Sequence, residues 1–214
     1  MTMDPHAQEP VITAGAAVAA ATAVVVAIHG RGAQPADILA LQPTLDRPDV
    51  AWLAPAAADR HWYPYRFISE IEKNEPFLSS ALRRIATLVE ELVAAGVAHE
   101  HIVFLGFSQG ACLSSEFVAR HPRRWGGLVM LSGGLIGPPG TVWNTPGSLS
   151  GTPVFLGCSD VDAHIPLERV EESARVLTGI GGDVTLRIYP GMGHTVNSDE
   201  IIHARRVLDL ARAR

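Results

Sequence analysis

An uninterrupted apolar run, Ile102-Val103-Phe104-Leu105, passes directly into Gly106-Phe107-Ser108-Gln109-Gly110. The run reads as a buried strand and the residues beyond as a helix, so the pentapeptide must turn the chain sharply between them. A serine on such a turn is held up at the end of a sheet in a strained backbone. The glycines at 106 and 110 let strand and helix pack closely enough for it. The letters G-x-S-x-G occur by chance in many chains; in this placement they restrict the fold and mark Ser108 as a candidate nucleophile.

The remainder alternates strand and helix, which predicts a mostly parallel sheet with helices on both faces. Strands are expected at 24–28, 50–54, 127–131, 153–157 and 184–189. Leu78, Leu82, Ile85, Val89 and Leu92 recur at helical spacing behind Pro76, and Leu167, Val170, Ala174 and Leu177 form one face of another helix. A helix after the pentapeptide should stop near Pro122, and a last one should run from about Asp199. With 214 residues, no repeat and no linker, the chain is expected to be one domain over 1–214 without a large cap, with residues 1–10 as a flexible N-terminus. Residues 11–28 carry no charge and could just span a bilayer. Asp4 and Glu9 precede them without Lys or Arg, and Gly15 interrupts them, so the expectation is a short strand, a turn and a buried strand, with no stable membrane insertion.

A serine hydroxyl needs a base to take its proton and a carboxylate to orient that base. Downstream of Ser108, the strand at 153–157 is followed by Asp160 and Asp162, and spacing does not separate the two. The strand at 184–189 runs into Pro190-Gly191-Met192-Gly193-His194, a glycine-lined turn presenting one histidine. Of the nine histidines, His194 alone sits on a late post-strand loop after the acid. His29 and His164 lie beside the expected site, and His99, His101 and His121 fall in polar or proline-containing segments. His99 and His101 lack a third ligand at fitting spacing, so no metal is expected. Two main-chain donors for an oxyanion are expected: Gln109 N–H, after the nucleophile, and Arg31 N–H, in the glycine-flanked loop His29-Gly30-Arg31-Gly32.

Four segments, His29-Gly30-Arg31-Gly32, Gly106-Phe107-Ser108-Gln109-Gly110, Asp162-Ala163-His164-Ile165-Pro166 and Tyr189-Pro190-Gly191-Met192-Gly193-His194, resemble the phospholipase/carboxylesterase family of α/β-hydrolases, which includes acyl-protein thioesterases. They span almost the whole chain. The resemblance implies an α/β-hydrolase fold and a triad of Ser108, Asp162 and His194, since the family's acid opens a D-P-x-(V/I)-P segment. Ala163 stands where that segment usually has proline. It further implies a cofactor-free serine carboxylesterase acting on short- to medium-chain esters, with a homodimer possible. Acyl-thioesterase or lysophospholipase activity on the same triad, and a non-catalytic ligand-binding homologue, are the alternatives. A cysteine nucleophile, as in dienelactone hydrolases, is contradicted by Ser108, and a peptidase would carry insertions not seen here.

The net charge of −5, with basic residues scattered, gives no footprint for nucleic acid and suits a small-molecule ester substrate. Cys112 and Cys158 read as buried thiols and a reducing cytoplasm as their compartment. Two stretches should shape a pocket at the strands' C-terminal edge. In residues 61–67, Trp62, Tyr63 and Phe67 are candidate walls, and exchanging Trp62 would then alter chain-length preference more than stability. The second is the Gly- and Pro-rich stretch 133–150 with Trp143.

Overall fold

The computed structural model describes residues 4–211. Seven strands form one sheet: β1 (Val11–Gly15), β2 (Ala23–Ile28), β3 (Val50–Pro55), β4 (Ile102–Phe107), β5 (Gly127–Leu131), β6 (Pro153–Ser159) and β7 (Asp183–Tyr189). Their order is β1-β3-β2-β4-β5-β6-β7, and only β1 runs antiparallel to its neighbour. Among the described residues six α-helices accompany them: α1 (Pro35–Leu39), α2 (Gln42–Leu45), α3 (Phe77–Ala94), α4 (Gln109–Arg120), α5 (Leu167–Gly179) and α6 (Ser198–Leu210).

The two-residue period of a strand divides its side chains between two cores. Val24, Val26 and Ile28 of β2 pack with residues of α3, α4 and α5, whereas Ala23, Val25 and Ala27 pack with α1, α2 and α6. Central strands are therefore buried on both sides and read as continuous apolar runs. This is the α/β-hydrolase arrangement, with β4 at the centre of the sheet and its C-terminal end open to the loops that follow β2, β3, β6 and β7. The uncharged stretch at 11–28 resolves into β1, a short 3₁₀ turn and β2, and among the described residues no helix is long and apolar enough to cross a membrane. Between β2 and β3 the helix is broken into α1 and α2, with Asp46 in the left-handed region as the C-cap of α2.

Of the start expected to be flexible, residues 4–10 run along α3, and residues 1–3 lie outside the described residues. His6 is fully buried, its main-chain N–H donates to Ser80 Oγ (2.9 Å), and Arg84 donates to Glu9 O (2.8 Å). The segment is tied to α3 by these bonds and by the His6 ring, which lies against Trp62 and Phe77.

The ring nitrogens of His6 and His29 are committed to the main chain. Ala58 N–H donates to His6 Nδ1 (3.1 Å) and Ala57 N–H to His29 Nε2 (3.2 Å), while the other ring nitrogens face Trp62 O (3.0 Å) and Gly30 O (2.8 Å). Each ring must be neutral to accept one bond and donate the other. Burial holds both pKa values below the ordinary 6.5. The unfolded chain binds these protons more readily, so their stabilisation is complete above about pH 6.5 and is lost as pH falls below it. Glu200 acts oppositely: buried, with its pKa raised to about 7, its neutral form favours folding at low pH. In Glu200→Gln, denaturant midpoints between pH 7 and 5 should therefore fall more steeply with acid than in wild type; a shallower fall would contradict these assignments.

Candidate active site

The turn after β4 is as tight as the sequence requires. Ser108 has φ 54° and ψ −120°, and its N–H donates to Leu131 O at the end of β5 (2.9 Å). A side chain at Gly106 would collide with the main chain of Gly110, and one at Gly110 with Ile28 O. Those two glycines let α4 start directly against β2 and β4, and Cys112 N–H closes its first turn on Ser108 O (3.0 Å). As the first helical residue, Gln109 has no intrahelical acceptor for its N–H. The loop after β2 lies against the same turn: a Cβ on Gly30 would sit 3.4 Å from Ser108 Cβ. The Arg31 N–H thus lies in a loop packed against the elbow.

Beyond β6, the Asp162 side chain is fully buried and its carboxylate collects donors. Oδ1 accepts the N–H groups of His164 (2.8 Å) and Ile165 (3.1 Å), and Oδ2 accepts from His194 Nδ1 at 2.6 Å. Burial raises its pKa, but the His194 bond and the two N–H groups outweigh it and hold the carboxyl below the ordinary range. An ionised carboxylate only accepts, so His194 carries its proton on Nδ1 and leaves Nε2 as a base. Asp160 instead accepts the Gly191 N–H (2.8 Å) and secures the turn that carries His194. The two carboxylates that spacing leaves unresolved have different partners. The His194 ring contacts those of Phe107 and His164, each with its centroid 4.9 Å away.

Ser108, Gln109, Arg31 and His194 line one open cavity of about 610 Å³. Tyr63 and Phe67 are in its wall, as expected, although both are nearly fully buried in themselves. Trp62 is not. Its indole is wholly buried, in tilted ring contact with His29 (5.0 Å) and His6 (5.4 Å), and donates Nε1–H to His29 O (2.9 Å). Trp62 is a core residue because the N-terminal segment closes over it, and its expected role as a pocket wall is withdrawn.

The stretch 133–150 also stays away from the cavity. Buried Glu116 accepts Ile136 N–H (3.0 Å) and Trp143 Nε1–H (3.2 Å), and Arg169 donates to Leu135 O and Gly137 O, which binds this loop to α4 and α5. Cys112 lies in the wall, and burial pushes its thiol to about 12, so it is a neutral apolar group there. Cys158 is also buried and free.

Three polar side chains with no obvious role in the sequence clamp residues 62–66. Gln109 Oε1 accepts Trp62 N–H (2.9 Å) and Nε2 donates to Tyr63 O (2.8 Å). The Arg31 guanidinium donates to Pro64 O (2.9 Å) and Tyr65 O (2.7 Å). Fully buried Asn74 accepts Tyr65 N–H (2.9 Å) and donates to Arg66 O (3.2 Å). Gln109 and Arg31, singled out for their main-chain N–H groups, therefore also hold the cavity wall through their side chains. The available signal is that each oxyanion candidate is itself a long polar residue.

Comparison with known proteins agrees with this architecture. The phospholipase/carboxylesterase family model matches residues 8–211. A phospholipase/carboxylesterase from Dyadobacter fermentans is 39% identical and superposes with a TM-score of 0.92, over 97% of this chain and 99% of that one. Acyl-protein thioesterase 1 of Eremothecium gossypii is 31% identical over 155 residues, 70% of this chain and 60% of that protein, so the chain spans less than two thirds of that relative's length. Carboxylesterase SOBER1 of Arabidopsis thaliana is 22% identical over 72% of this chain and 73% of that protein.

Proposed function

The chain belongs to the phospholipase/carboxylesterase family, and from that premise we propose that it is a serine carboxylesterase acting on short- to medium-chain esters. The observation that carries this reading is the 2.6 Å bond from His194 to buried Asp162, with His194 and the strained Ser108 both in the wall of one cavity.

Ser108 Oγ attacks the ester carbonyl carbon as its proton passes to His194 Nε2. The carbonyl oxygen becomes an oxyanion, held by the N–H groups of Gln109 and Arg31. On collapse the C–O bond to the alcohol breaks and His194 returns the proton to the leaving oxygen. Water then attacks the acyl-serine, giving its proton to His194, and the second collapse releases the acid and restores Ser108. Asp162 stays ionised throughout, fixing the tautomer and stabilising the imidazolium. The neutral thiol of Cys112 does not compete as a nucleophile at ordinary pH.

Hydrolysis of p-nitrophenyl esters from C2 to C12 tests the reading. Activity should fall toward the longer chains, since the cavity is open and holds about 610 Å³. A fluorophosphonate should attach to Ser108, located by peptide mass spectrometry. Absence of hydrolysis across the series would reject the esterase reading, and labelling elsewhere would reject Ser108. The thioesterase named among the relatives makes an acyl-thioester of matched chain length the comparison substrate. A higher kcat/KM for the thioester would favour that second reading on the same triad.

A further inference from the structure

The cavity walls contain arginine and histidine but no acidic side chain, although the protein as a whole carries a net charge of −5. Arg31, Arg66 and His164 stand at the exposed part of the lining. Among the described residues neither arginine is paired with a carboxylate. Their positions are built in. Arg31 spends two N–H groups on Pro64 O and Tyr65 O, which leaves the other donors of its fork for a ligand. Arg66 rises from main chain clamped by buried Asn74, and its Nη2 reaches His164 O (3.4 Å) in the loop that follows Asp162. The two guanidiniums thus belong to one braced rim, close to where the Arg31 N–H would hold the reacting oxygen.

Resting on the esterase reading, we propose that this rim selects esters bearing an anionic group, a carboxylate or phosphate, on the half directed toward residues 64–66. A guanidinium meets either anion through paired N–H bonds and carries its charge at every working pH. The neutral part of the substrate lies against Tyr63, Phe67 and Ile165. Selection occurs in binding, so it acts through KM before kcat.

Matched ester pairs test this: 4-nitrophenyl hemiglutarate against 4-nitrophenyl pentanoate, and 2-phosphoethyl butanoate against butyl butanoate. At least one anionic member should show a kcat/KM about tenfold or more above its neutral partner, declining with added salt, and the pair that responds identifies the anion. In Arg66→Gln the anionic-to-neutral ratio should collapse toward one; an unchanged ratio would overturn the assignment to this rim. Neutral esters cleaved without any anionic preference would overturn the proposal while leaving the esterase reading intact. If no ester is cleaved, the esterase reading fails, and calorimetry on Ser108→Ala decides the rim independently. Monomethyl glutarate binding about tenfold more tightly than dimethyl glutarate supports it, and equal affinities overturn it.

Discussion

Ser108→Ala should lower kcat for a p-nitrophenyl ester by about 10⁴- to 10⁶-fold, the range seen when a nucleophile acting as a unit with its base is removed. Folding should be little affected by the lost hydroxyl, although φ of 54° strains alanine as it strains serine. The acid gives a sharper test because two candidates stand two residues apart. Asp162→Asn keeps the volume but replaces an acceptor by an amide. The amide can turn a donor toward His194, favouring the tautomer with its proton on Nε2, and a loss of about 10⁴-fold is expected. Asp160→Asn keeps an oxygen for the Gly191 N–H and should retain most of the activity. Equal losses in the two variants would remove Asp162 from its assigned role, and an active Ser108→Ala would remove the mechanism altogether. Near-ultraviolet circular dichroism of each variant separates these outcomes from misfolding.

What could be read from the chain beforehand follows the range of the forces involved. The turn at 106–110 was legible because its constraint is local: glycine beside a buried strand, where any Cβ would strike main chain. The strands were legible because a sheet covered on both faces buries consecutive residues, so 24–28 and 102–105 are apolar without interruption. The choice between Asp160 and Asp162 was not decided by spacing, because both follow one strand and differ only in which way their oxygens point. The family resemblance selected Asp162, the residue whose oxygen meets His194. Trp62 departs from its expected place for a different reason. An aromatic on a loop after a strand looks the same whether it lines a cavity or lies beneath one, and what decides it is His6, 56 residues away. The loop at 133–150 was likewise drawn off the cavity by Glu116 and Arg169, whose hold on its carbonyls and amides has no local signature. The resemblance points to residues that the fold brings to one edge of the sheet, while long-range packing sets the walls.

Trp62→Ala should therefore be a stability variant. The indole is fully buried, and removing such a side chain costs about 3–5 kcal/mol through lost burial and the cavity left behind. The buried His29 carbonyl also loses the Nε1–H that satisfies it, and the rings of His6 and His29 lose the surface between them. At about 2–4 °C per kcal/mol for a chain of this size, the melting temperature should drop by roughly 6–20 °C. Trp62→Phe keeps a ring between the histidines but leaves the carbonyl unpaired, and should fall between the two. The ester chain-length profile should keep its shape at temperatures where the variant is folded, because Gln109 still holds residues 62 and 63 by their main chain. A variant of wild-type stability with a shifted profile would return the indole to the cavity and refute its place in the core. The same variant also tests the N-terminal segment: without the indole, His6 loses the ring it packs against, so limited proteolysis should cut first within residues 4–10.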